Sequence, residues 1–273
     1  MELSSFFETK FRKLVAQLEK RLDGYIKDPK EEEKVHDIRT SLRRLDSLFP
    51  LLSKKNRKAN KKRITKYQGF FKANSRLRDY DIIIARLASL SPDSRALILV
   101  LQRRKDTELK AIVRKAKALR NTGKITVQSM NTEEIEARLD KVLSKVCRRI
   151  KVNLDPTLSD SKNIEQLHSL RKDLKKVRYI LESLDGGSEK KYQQMIRTTT
   201  GLALNITQLE KVQNLLGDLH DSDITLEFLK SSKSKLASEL HAREASIRES
   251  LYSDFVGYMK SILASDSDSL KAT

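Results

Sequence analysis

Along much of the chain, apolar side chains recur in alternating steps of three and four, the period of a helix that buries one face. Val35, Ile38, Leu42, Leu45, Phe49 and Leu52 make one such stripe, on a helix expected to end around Pro50. Leu167, Leu170, Leu174, Val177, Leu181 and Leu184 make a second with the same spacing, ahead of Asp185-Gly186-Gly187, which reads as a stop. Phe7, Phe11, Leu14, Leu18 and Leu22 recur as Ile135, Leu139, Val142, Val146 and Ile150, and Arg21 recurs as Arg149. Eight Gly and four Pro supply little turn chemistry for hairpins. The pattern predicts an all-α protein.

The repeated segments lie 128 and 132 residues apart, and Arg78-Asp79-Tyr80-Asp81-Ile82 recurs 142 residues on as His220-Asp221-Ser222-Asp223-Ile224. A growing offset places the insertions between helices. The prediction is therefore an internal repeat, 1–124 and 125–273, of two pseudo-symmetric antiparallel bundles facing a shared basic groove. Helices are expected at 3–25, 30–52, 55–74, 77–90 and 92–120, answered by 131–151, 160–184, 188–215, 218–230 and 234–263. Ser91-Pro92-Asp93 has the chemistry of a helix start, a capping hydroxyl followed by proline in the first turn.

Charge narrows the partner. Lys and Arg number 56 against 37 Asp and Glu, a formal charge of +19. Such an excess points to an anion. It is concentrated in residues 1–130, with 33 basic against 15 acidic residues, while 131–273 carry 23 against 22. The densest run, Lys54 to Lys66, has eight basic residues among thirteen and no acid. The single Cys147 cannot form an internal disulfide and is read as core. No stretch reaches the ~18 to 20 apolar residues of a membrane span, and a cytoplasmic location is expected.

The informative chemistry lies on the two similar helices. His36, Arg39, Arg43 and Arg44 in the first are matched by His168, Arg171, Lys175 and Lys176 in the second. Positions i, i+3 and i+7 fall on one strip of a helix, here beside the apolar stripe, where a cationic stem packs while its head reaches a groove. Two segments whose surroundings differ by 17 charges share this pattern, so general basicity does not account for it. Polyphosphate offers only oxygen acceptors and about one charge per unit, and a rail of Arg and Lys donors suits it. A bound polyanion would also favour the charged form of His36 and His168.

These residues resemble the CHAD family, the conserved histidine α-helical domain. The resemblance rests on Val35-His36-Asp37-Ile38-Arg39 with Leu42-Arg43-Arg44-Leu45, and on Leu167-His168-Ser169-Leu170-Arg171 with Lys175-Lys176-Val177-Arg178-Tyr179. It extends to Leu77-Arg78-Asp79-Tyr80-Asp81-Ile82 and to Leu215-Leu216-Gly217-Asp218-Leu219-His220-Asp221, and covers nearly the whole chain. It implies two helical bundles that bind inorganic polyphosphate, in the cytoplasm and at polyphosphate granules. It adds Arg178 to the binding residues. Asp46 stands where the second copy has Arg178, and Ser75 where it has Gly217. Lys66, on the helix after the rail and in register with Lys58 and Lys62, and Arg76 are second-tier candidates.

No enzymatic activity is expected, because the chain shows no phosphate-cradling Gly-rich loop, no clustered carboxylates for a metal and no nucleophile beside a base. Neither a metal nor a cofactor is expected. The paired acids Asp79 with Asp81 and Asp221 with Asp223 read as helix-start residues that pair with Arg or His. Nucleic-acid backbone binding by the same basic surface is the alternative. An absence of Trp and 5% aromatic content leave few stacking platforms for single strands.

Overall fold

The computed structural model describes residues 2–271, with side chains as far as residue 263. Among these residues the chain is all-α, with nine helices and no strand. They are α1 Leu3–Lys27, α2 Glu32–Leu48, α3 Lys54–Leu90, α4 Arg95–Arg120, α5 Thr132–Ser159, α6 Ile164–Leu181, α7 Gly186–Thr200, α8 Ile206–Ser231 and α9 Lys235–Lys271. The chain divides into two compact units between Arg138 and Leu139, within α5.

In the first unit α1 packs on α2 and α4, and α3 packs on α2 and α4, so the four helices close a ring. The expected stripes form its core. Phe7, Phe11, Leu18, Leu22, Ile38, Leu42 and Leu45 are nearly inaccessible, each burial worth about 1.5–3 kcal/mol. Residues 55–74 and 77–90, expected as two helices, are one, because nothing between them removes a backbone donor or needs a left-handed residue. Ser53 starts this helix by accepting the Asn56 amide at 3.1 Å. The helix after Ser91 begins as foreseen, with the serine hydroxyl accepting from the Asp93 amide and Pro92 in the opening 3₁₀ turn.

The segment after α4 is extended and tied to this unit. Asn60 donates to the Thr126 carbonyl at 2.7 Å and accepts from the Thr126 amide at 3.2 Å. One turn earlier, Asn56 makes the same pair with Gln128, 2.9 Å in each direction. Two buried amides four residues apart thus copy one edge of a β-ladder, and satisfy backbone that would otherwise be buried unpaired. Ile125, Val127 and Met130 are buried alongside. Residues 125–130, assigned above to the second repeat, are held by the first unit.

In the second unit α8 packs on α9 and α6, and α6 on α7. Arg149 of α5 donates to both Asp173 carboxylate oxygens on α6, one of them at 2.9 Å, and Tyr252 of α9 donates to the Thr157 carbonyl of α5 at 2.9 Å. Asp185-Gly186-Gly187 begins α7, since the Asp185 carboxylate accepts the Gly187 and Ser188 amides. The helix expected over 188–215 breaks at Gly201, whose φ of +72° only glycine adopts readily. It restarts at a capping box of Asn205 and Gln208, and α8 then runs unbroken through Gly217.

Candidate functional site

On α2, burying Val35, Ile38, Leu42 and Leu45 turns His36, Arg39, Arg43 and Arg44 toward the edge of the core. Arg39 is only 6% exposed, and Arg43 and Arg44 are half-buried. The guanidinium carbons of Arg39 and Arg43 lie 5.6 and 5.8 Å from the centre of the Phe71 ring on α3. One aromatic ring thereby gathers two like charges, each gaining about 0.5–1 kcal/mol or more. His36 is exposed, its Nδ1 3.9 Å from Asp37. Arg21 of α1 fixes the helix, pairing with Asp37 at 3.2 Å and donating to Ser41 at 2.7 Å.

On α6, Arg171, Lys175 and Lys176 are half-buried, as is His168. The His168 ring lies 4.8 Å from that of His220 on α8. Burial, reinforced by Lys172, Arg171 and Lys175, lowers the His168 pKa to about 4, so the free protein carries it neutral at pH 7. Both rings border a cavity of about 770 Å³, which His241 and Arg248 of α9 also line. Arg178 is held differently. Its guanidinium sits 3.3 Å from Glu182 and 3.1 Å from Glu210, so two carboxylates balance its charge. Asp46, which stands in its place on α2, accepts from Gln68 of α3 at 2.8 Å.

The paired acids lie in mid-helix, which corrects the expectation of a helix start, and one acid of each pair holds a basic side chain. Asp81 of α3 pairs with Lys105 of α4, and Asp223 of α8 accepts from Arg248 of α9 at 2.5 Å. Burial raises the Asp223 pKa against the pull of Arg248. Arg248 also donates to the Ser161 carbonyl at 2.7 Å. These carboxylates join helices. Among the described residues, no group of three or more His, Cys, Asp or Glu is placed to hold a metal ion.

The basic run contrasts with the helix-edge cations. Lys54, Lys55, Lys58, Lys61, Lys62 and Lys66 are exposed, while Arg57 and Arg63 bond the Leu52 and Thr122 carbonyls. Lys66 and Arg76 face away from Phe71, each lining a cavity between α3 and α4. The structure therefore gathers Arg39 and Arg43 with Phe71, and His168 with His220, but sets Lys66 and Arg76 on the other flank of α3. Sequence reasoning missed Phe71, His220 and His241 as neighbours of the rail. Phe71 and His220 had signals: in the Phe70-Phe71 doublet one ring fills the core, so the next must face elsewhere, and His220 stands in the Leu215 to Asp221 motif.

Cys147 is buried, and its surroundings push the thiol up to about 11, as suits a core residue. No helix among the described residues is long and apolar enough to cross a membrane. The family model of the CHAD domain matches residues 9–230. Among solved structures, PptA from Streptomyces chartreusis is similar, with a TM-score of 0.51 at 12% identity over 99% of this chain and 100% of that one. No curated protein matches the chain.

Proposed function

The chain belongs to the CHAD family, and from that premise we propose that it binds inorganic polyphosphate, without transforming it, through the cationic edges of α2 and α6. The observation that carries this reading is the shelter of those cations. Arg39, Arg43 and Arg44 on α2, and Arg171, Lys175 and Lys176 on α6, are buried or half-buried, while most of the denser Lys54 to Lys66 run is solvated. Charges held away from bulk water attract an anion more strongly than exposed ones, because less solvent screens them. Phe71 lies beside two of these guanidinium groups, a neutral ring that draws their charge together without cancelling it. His168 adds a latent charge that a polyanion would call up.

The internal repeat belongs to the same reading, and three matched joints support it. Arg21 braces α2 as Arg149 braces α6. Asp81 with Lys105 corresponds to Asp223 with Arg248. Asp46 with Gln68 corresponds, at the sequence offsets of 132 and 142, to Arg178 with Glu210. The last joint changes charge yet keeps its place.

The test compares Arg43→Glu with Lys175→Glu, and Arg39→Gln with Arg171→Gln, the milder change suiting the buried Arg39. Affinity for long-chain polyphosphate is read by calorimetry, with circular dichroism confirming the fold. Each reversal should cost about 1–3 kcal/mol, or about 5- to 150-fold. If both cationic edges bind the polymer, the losses from α2 and α6 are comparable. Wild-type affinity in the α6 variants would overturn that reading, and stronger binding of duplex DNA than of polyphosphate would favour the nucleic-acid alternative.

A further inference from the structure

The flank of α3 turned away from Phe71 meets α4 along a groove made of two adjoining cavities, of about 430 and 270 Å³. Gly69 and Lys115 border both. Lys66, Lys72 and Arg76 supply three more cations, and among the described residues none of the four is held in an ion pair. Two other cations of α4 are paired with carboxylates, Lys105 with Asp81 and Arg120 with Asp23.

Gly69 is the second feature of the groove. A glycine inside a long helix costs about 1 kcal/mol relative to alanine. Neither usual compensation is present: its φ is not positive, and a Cβ built there would meet nothing within 4 Å. What the residue provides is the open floor where the two cavities join.

The lining also separates ligand classes. Ala73, Ala111 and Ile112 give the larger cavity apolar walls, and Glu108 places one carboxylate among the cations. One oxygen of Glu108 accepts the Tyr80 hydroxyl at 2.8 Å. A bare polyphosphate presents only acceptors, so it gains nothing from those walls and is repelled by Glu108. A nucleotide has phosphates for Lys66, Lys72, Arg76 and Lys115, hydroxyl or amino donors for Glu108, and a planar base for the apolar walls. The volume lies in the range usual for small-ligand sites, roughly 300–1,000 Å³.

We propose that the α3–α4 groove floored by Gly69 is a nucleotide-binding site, separate from the cationic edges of α2 and α6. The probes are ADP and long-chain polyphosphate, titrated without metal into the full chain. Gly69→Leu fills the floor with a strong helix former, and should weaken ADP at least about tenfold while leaving polyphosphate within about twofold. Glu108→Gln should weaken ADP several-fold but not inorganic pyrophosphate. Lys115→Glu, an exposed position, repeats the test should the leucine variant misfold.

Absence of ADP binding by wild type would overturn the proposal. So would unchanged ADP affinity in Gly69→Leu, or equal losses of ADP and polyphosphate in it, since the latter would make the groove part of one polyanion surface. A chain that binds ADP but not polyphosphate would sink the preceding function and leave this site standing.

Discussion

Polyphosphate binding should take up a proton at His168. Burial and the nearby Lys172, Arg171 and Lys175 hold that imidazole at about 4, against an ordinary value of 6.5. His220 faces it from α8, with Asp223, Glu227 and Lys230 on the same helix, while Lys162 and Glu165 precede it and His241, Arg248 and Glu249 line the cavity from α9. A polyanion lying along Arg171 and Lys175 cancels the repulsion and favours the charged ring. If binding restores the ordinary value, linkage makes affinity about 4-fold higher at pH 6 than at pH 8, and about 30-fold higher at pH 5. His168→Gln keeps a polar side chain of similar reach but cannot titrate, so the ratio of wild-type to variant affinity isolates this proton from His36 and the other groups. Calorimetry in two buffers of different ionisation enthalpy counts the protons directly. A ratio that stays flat from pH 8 to pH 5, with equal proton uptake by both proteins, would refute the reasoning. The same depressed pKa sets a stability trend of known sign. Between 6.5 and about 4 the unfolded chain binds more protons at this residue, so its contribution to stability is intact above pH 6.5 and is lost as pH falls toward 4.

Affinity for polyphosphate should fall steeply with added salt, because several cations each release condensed counterions; equal affinity in dilute and physiological salt would argue against a charge rail. Arg178→Ala should lower affinity less than Lys175→Ala, since Glu182 and Glu210 already balance Arg178, and a titration of both variants decides the order. Asn60→Ala should destabilise the first unit by about 2–3 kcal/mol, leaving the Thr126 amide and carbonyl without their partner, which thermal melting would show as a lower midpoint.

Where burial is decided by periodicity, the fold was legible in the chain. Val35, Ile38, Leu42 and Leu45 are buried as their spacing required, and so are Leu167, Leu170, Leu174 and Val177. Punctuation was harder to read. Gly217 looked like a boundary and is not one, while Gly201, followed by the Asn205 and Gln208 box, carries the signals of a real break. Glycine is tolerated within a helix at modest cost, so only its combination with a cap distinguishes the two. The cationic edge could be placed on its helices from spacing alone. Its companions could not, because the contacts of Phe71 with Arg39 and of His220 with His168 depend on which helices pack together. Asn56 and Asn60 were hidden inside the basic run for the same reason, their partners lying 72 and 66 residues further on.

That asparagine clasp bears on how the protein is made. Synthesis proceeds from the N-terminus, so α1 to α4 leave the ribosome before the strip that Asn56 and Asn60 receive. Until residues 125–130 emerge, the nascent first unit lacks Ile125, Val127 and Met130 from its core and keeps two amides facing an unfilled trough. Completion of this unit thus waits on residues beyond its last full helix, and the order of translation makes the connecting strip the closing stitch of the first unit rather than the opening of the second.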